Sequence, residues 1–205
     1  DFCVVELSSF YLDIIKDRLY CEERDGVKRR SAQTALYLIL DTMTKIFAPI
    51  LAFTCDEIWQ AMPHRSGDDV RNVLLNEMNK PFTAYSLDSG AMARWERMIR
   101  VRDAVNGALE DARAEKKLGK SLEADVELTV PAADEFIIGM DPEELADMLI
   151  VSKAAVKAGD ALAVQVRTAQ GGKCERCWKV LSSVGSDSER PTLCSRCAAV
   201  VRKLV

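Results

Sequence analysis

The sequence predicts a multidomain, mainly α chain: a helical bundle over residues 1–120, a small α+β module over 121–169 and a cysteine-rich ribbon over 170–205. Three observations carry this. Apolar side chains recur at helical spacing through the first 120 positions, alternation replaces that spacing after Gly119, and paired cysteines mark the tail. With 205 residues, 48% apolar and 29% charged, the chain can bury a core, which excludes the disordered, collagen-like and low-complexity classes.

Leu7, Tyr11, Ile14, Ile15 and Leu19 place a first helix within Val4 to Tyr20. The stretch Glu22 to Arg30 reads as a basic loop. Ser31 is the expected N-cap of a second helix with stripe Leu36, Leu40, Met43 and Phe47, ended by Pro49. A third helix carries Leu51, Cys55, Ile58 and Met62 and closes at Pro63. From His64 to Gly90 the periodicity is weak, and a surface loop with a solvated His64 is expected. Met92 to Leu118 forms the longest predicted helix, with Trp95, Ile99, Val105, Leu109 and Ala112 inward and Gly119 as its C′ residue. Trp59 and Trp95 are accordingly assigned to the core, and Cys55 reads as a small core hydrophobe.

Val126, Leu128 and Val130 alternate with polar residues as in a half-buried strand. A short helix over Pro142 to Met148 and strands over Leu149 to Val156 and Leu162 to Arg167 complete the module, and Gln170-Gly171-Gly172 reads as a hinge.

The tail contains Cys174-x-x-Cys177, sixteen intervening residues and Cys194-x-x-Cys197. Each x-x turn can aim two thiolates at one centre, so the four cysteines read as ligands of one structural, tetrahedral zinc. Disulfide pairing is the competing reading, and Cys3, Cys21 and Cys55 stand outside the pattern.

The net charge of −4 hides an uneven distribution: −4 over residues 1–93, +3 over 94–120, −7 over 121–168 and +4 over 169–205. The basic blocks can meet a phosphate backbone, although ordinary helices also carry basic ends. Candidate RNA contacts are Arg176, Trp178 and Arg196 on the ribbon, Lys116, Lys117 and Lys120 at the end of the basic helix, and Arg18 on the first helix. Each has a structural alternative: support of the thiolates for Arg176 and Trp178, the helix dipole for the lysines, and a salt bridge to Asp13 or Asp17 for Arg18.

No apolar stretch approaches the roughly 18–20 residues of a membrane span, and the start Asp1-Phe2-Cys3 is no signal peptide, so a cytoplasmic protein without membrane contact is expected. The opening without Met, directly into a periodic segment, leads to the expectation of a piece of a longer chain.

Leu7-Ser-Ser-Phe-Tyr-Leu-Asp-Ile-Ile-Lys-Asp-Arg-Leu-Tyr20 and Ala48-Pro-Ile-Leu-Ala-Phe-Thr-Cys-Asp-Glu-Ile-Trp59 resemble the anticodon-binding helical domain of class I aminoacyl-tRNA synthetases. Lys116-Lys-Leu-Gly-Lys-Ser-Leu-Glu-Ala124, Cys174-Glu-Arg-Cys-Trp178 and Cys194-Ser-Arg-Cys197 resemble the bacterial isoleucyl-tRNA synthetase family, and the resemblance covers nearly the whole chain.

It implies an N-terminally truncated anticodon-binding domain over 1–120, one structural zinc, and tRNA(Ile) as partner. The parent would be a monomeric, ATP-dependent isoleucine–tRNA ligase with separate catalytic and editing domains. No His-Ile-Gly-His or Lys-Met-Ser-Lys-Ser signature occurs in this chain, so no catalytic residue is assigned and the segment is expected to be inactive alone, with ATP a cofactor of the parent only. Exposure of the Leu7, Tyr11 and Ile14 stripe leads to an expectation of self-association. The alternative function is a free-standing zinc-ribbon adaptor for nucleic acid or protein.

Overall fold

The computed structural model describes residues 1–204. In chain order, a wide helical segment of π type, Cys3–Leu12, precedes α1 (Lys16–Cys21), α2 (Val27–Phe47), α3 (Ala52–Ala61) and α4 (Ser89–Ala114). There follow β1 (Ala124–Pro131), α5 (Glu135–Ile138), α6 (Pro142–Leu149), β2 (Lys153–Gly159) and β3 (Ala163–Thr168). The tail holds β4 (Gly172–Lys173), β5 (Val180–Leu181) and α7 (Ser195–Arg202). The protein is thus mainly helical, with a small sheet and a four-cysteine cluster.

Two compact units are present, one formed by Asp1–Glu23 with Leu87–Val205 and the other by Arg24–Ser86. They partition the chain differently from the three-part sequence division, because α4 shares one core with the sheet that follows it. Met98, Val101, Val105, Leu109 and Ala112 of α4 pack against Ala124, Val126, Leu128 and Val130 of β1 and against Leu145 and Leu149 of α6. β1 lies centrally, parallel to β2 and antiparallel to β3. Its alternation is as expected: every second side chain from Ala124 to Val130 is buried.

The start of α6 follows from local chemistry. Asp141 accepts from the backbone N–H groups of Glu143 and Glu144, and Pro142 occupies the first turn, where a missing N–H costs nothing. At the other end Ile150 takes a left-handed conformation, with its N–H bonded to Ala146 and Asp147 carbonyls.

Three sequence expectations for α4 are corrected. The buried stripe is Met98, Val101, Val105, Leu109 and Ala112, while Ile99 is 41% exposed and Trp95, 37% exposed, packs edge-on against Phe136. A long helix with scattered apolar residues admits more than one stripe, and the sheet selects the phase. Lys116, not Gly119, is the left-handed C′ residue, since Lys117 N–H reaches back to Ala112 C=O.

In the second unit, α2 begins at Val27 behind Gly26, so Ser31 lies within the helix rather than capping it. Cys55 and Trp59 of α3 are buried, as assigned. His64 is half-buried, stacked 4.6 Å from Trp59, and not a solvated loop residue. Asp41, fully buried, receives Lys45 Nζ at 3.0 Å and Asn79 Nδ2 at 2.6 Å and pairs with Arg65.

Candidate metal centre and its mounting

The first x-x turn is closed by Trp178 N–H donating to Cys174 C=O at 2.9 Å, with Trp178 itself left-handed at φ 64°. Cys174 N–H donates to Lys179 C=O at 2.9 Å, and β4 pairs with β5 through Gly172 with Leu181 and Lys173 with Val180. Gly171 lies at φ 127°, and a Cβ there would approach Leu181 backbone to 2.4 Å. The glycine pair expected to be a hinge is therefore a close-packed entry into the hairpin.

The second pair is carried by α7: Cys194 is its N-cap residue and Cys197 lies in its first turn. Glu175 N–H donates to Thr192 C=O at 3.1 Å and Cys194 N–H to Cys174 Sγ at 3.3 Å, which ties the two turns together.

The four ligand atoms lie within 4.8 Å of one another, and all four residues are buried. Cys177 and Cys194 sulfurs are 3.9 Å apart. Four sulfurs about 2.3 Å from one tetrahedral zinc have edges of about 3.8 Å, so the cluster has the size of such a centre. Hydrogen bonding to Cys194 and burial push the Cys177 thiol up to about 11, and the bond to Cys177 moves Cys197 in the same direction. Packing four ionisable sulfurs together opposes their ionisation, and a dication offsets that cost. Among the described residues no cysteine forms a disulfide.

The centre is mounted on α1. Arg176 donates from Nη1 to Cys21 C=O at 2.6 Å and from Nη2 to Tyr20 C=O at 3.0 Å, filling carbonyls that the end of a helix leaves open. Arg196 forms a two-pronged pair with Asp17, at 2.6 and 2.7 Å, and reaches Glu22 at 3.1 Å. On the other side Lys179, almost buried, meets Asp147 at 2.6 Å, and Val180 N–H donates to Ser152 Oγ at 2.6 Å.

These contacts redistribute the predicted RNA-facing set. Arg176 and Arg196 direct their guanidinium groups inward onto α1. Trp178 stays 58% exposed, with Lys120 Nζ 5.9 Å from its ring centre. Lys116 is exposed, and Lys117 pairs with Glu115 at 2.5 Å. Arg18 does not take the salt bridge proposed as its alternative: Asp13 meets Lys16 at 2.7 Å, Asp17 is held by Arg196, and Arg18 Nε is buried without a hydrogen-bond partner. A cleft of about 600 Å³ opens between α1 and the first turn, walled by Tyr20, Cys21, Leu122, Arg176 and Trp178. Sequence reasoning missed Asp17, Tyr20 and Cys21 as parts of this region, since no local pattern announces partners that lie so far along the chain.

Comparison with known proteins agrees with this architecture. Residues 1–128 match the family described as the anticodon-binding domain of tRNA ligases, and residues 171–200 match a zinc finger found in FPG and IleRS. Isoleucine–tRNA ligase of Desulforamulus reducens is 43% identical over 215 residues, spanning 99% of this chain and 23% of the relative. That of Syntrophotalea carbinolica is 43% identical over 98% of this chain and 22% of its own length, and that of Dichelobacter nodosus 43% over 96% and 21%. The chain thus spans under a quarter of the length of the curated relatives it matches. The zinc-finger match and the four-thiol cluster together identify one structural zinc site.

Proposed function

Because this chain belongs to the anticodon-binding domain family of tRNA ligases, we propose that it is the tRNA-binding part of an isoleucine–tRNA ligase and holds tRNA(Ile) near its anticodon. ATP-dependent isoleucylation and editing fall to other parts of such a ligase, and no catalytic residue is assigned here. The division into a helical domain over 1–120, a module over 121–169 and a ribbon over 170–205 belongs to the same proposal, as does a cytoplasmic location. Among the described residues no helix is long and apolar enough to cross a membrane.

Cys174, Cys177, Cys194 and Cys197 hold the zinc, which supplies a cross-link between the two turns of the ribbon. The carrying observation for RNA contact is the exposed Trp178, fixed in a left-handed turn beside the zinc centre with Lys120 over its ring. An indole so presented offers a stacking surface to an unpaired base, and Lys116, Lys117 and Lys120 supply charge for the neighbouring phosphates. Arg176 and Arg196 act by holding the ribbon on α1, and Arg18 is a further candidate contact. The adaptor alternative is weaker, because the helical part itself matches a tRNA ligase family.

The test is binding of tRNA(Ile) and of an unrelated tRNA to the zinc-loaded 205-residue chain across about 50 to 200 mM salt. Binding should weaken steeply with salt, and Trp178→Ala should cost about 1–3 kcal/mol. Absence of binding at the lowest salt, or full affinity in the Trp178 variant, would contradict the reading.

A further inference from the structure

We propose that Cys21 is a reserve ligand of the zinc centre, able to take the coordination position of Cys197 when that sulfur is lost. The inference rests on the zinc reading of the four-thiol cluster and extends it to a fifth thiol that the Cys-x-x-Cys pattern leaves out.

Cys21 is 4% exposed and belongs to the same buried cluster as Cys174, Cys177, Cys194 and Cys197. Its thiol lies 3.5 Å from Arg176 C=O, the backbone of the first ligand turn, and within hydrogen-bonding reach of the Cys197 sulfur. Arg176 grips the Cys21 carbonyl at 2.6 Å, so the residue is held against the centre from both its backbone and its side chain. It nevertheless stands outside the set of four sulfurs that can share one ion.

The cleft wall includes Cys21, which leaves its side chain room to rotate. With the centre intact, Cys21 S–H donates to the Cys197 thiolate, as outer partners of metal ligands commonly do. When the Cys197 sulfur is removed, the Cys21 sulfur binds the open position as a thiolate and its proton passes to solvent. No electron is transferred. The geometry makes the replacement specific, because Cys174 lies on the first turn, and nothing in the structure brings Cys21 into hydrogen-bonding reach of its sulfur.

Cobalt(II) provides the readout, since its thiolate charge-transfer absorption scales with the number of bound sulfurs. In the full chain Cys197→Ser should keep the four-sulfur intensity and about one equivalent of metal. Cys174→Ser and the double variant Cys21→Ser/Cys197→Ser should fall to about three-quarters of that intensity or lose the metal, as expected for three of four ligands. Cys21→Ser alone is a small change that should leave the fold intact. It should keep the full intensity but release zinc to a chelator about 10-fold faster.

The proposal is overturned if Cys197→Ser matches Cys174→Ser, if removing Cys21 changes nothing in the Cys197→Ser background, or if Cys21→Ser releases zinc at the wild-type rate. A wild-type chain that binds no metal would overturn the zinc reading itself.

Discussion

Arg196 lays its guanidinium along the Asp17 carboxylate, with Nη1 and Nη2 at 2.6 and 2.7 Å from the two oxygens, and so joins α7 to α1 across 179 positions of sequence. Both side chains are largely shielded, at 31% and 16% exposure. A partly buried two-pronged pair is the arrangement in which arginine and carboxylate geometry match best, and lysine reproduces its charge but not its fork.

Arg196→Lys should therefore destabilise the unit by about 1–3 kcal/mol while leaving the zinc bound. Urea unfolding would show the loss, and limited proteolysis should cut residues 170–205 first. Asp17→Asn should behave alike, and the two changes together should cost less than their sum. Full additivity would mean that the residues do not act as a pair.

Asp41 gives the Arg24–Ser86 unit a defined response to acid. Burial raises its carboxyl, but the hydrogen bonds of Asn79 and Lys45 and the charges of Lys45 and Arg65 outweigh burial and hold it below the usual carboxylate range. The folded form then binds its proton less readily than the unfolded form. This contribution is complete above the unfolded value of about 3.9 and is lost as pH falls through the lower folded value. Asp41→Asn should cost about 3 kcal/mol at neutral pH, because Lys45 is also buried, and should flatten the stability loss below about pH 4. Urea unfolding at the two pH values tests this, and an unchanged acid slope would contradict it.

Much of this architecture is written locally. The alternation in β1, the Asp141-Pro142 start of α6 and the cysteine spacing depend on residues a few positions apart, and they are legible in the sequence. The phase of α4 is not, because Trp95 and Ile99 complete an apolar stripe as well as Met98 and Val101 do, and only packing on the sheet separates the two. Gly119 was the obvious helix terminator, yet the left-handed site fell on Lys116, where the last turn closes onto Ala112 C=O. The inward turn of Arg176 and Arg196 was equally hidden, since their acceptors on α1 lie more than 150 positions away.

Gly171 separates a hinge from a packed junction. At φ 127° an L side chain is strained, and the added Cβ would meet the Leu181 carbonyl carbon at 2.4 Å, where the obstacle is backbone and cannot step aside. Gly171→Ala should thus lower stability by about 2–3 kcal/mol and speed zinc loss to a chelator. A flexible linker would accept alanine without effect, so an unchanged midpoint would restore the hinge.

Metal content is the most direct check on the centre. The β4–β5 pairing spans two residues on each strand and α7 eight residues, too little regular structure to hold a ribbon unaided. Metal binding can contribute on the order of 10 kcal/mol to the folding of such a segment. Mass spectrometry should find one zinc per chain, and Cys174→Ser should lose it together with the protease resistance of residues 170–205. The core of α4, α6 and β1 contains no thiol of the centre and should survive zinc removal, so helical circular dichroism should fall only by the share of α7. Global unfolding on chelation would instead mean that the latches from Arg176, Lys179 and Arg196 make the ribbon a keystone of the whole unit rather than a module mounted upon it.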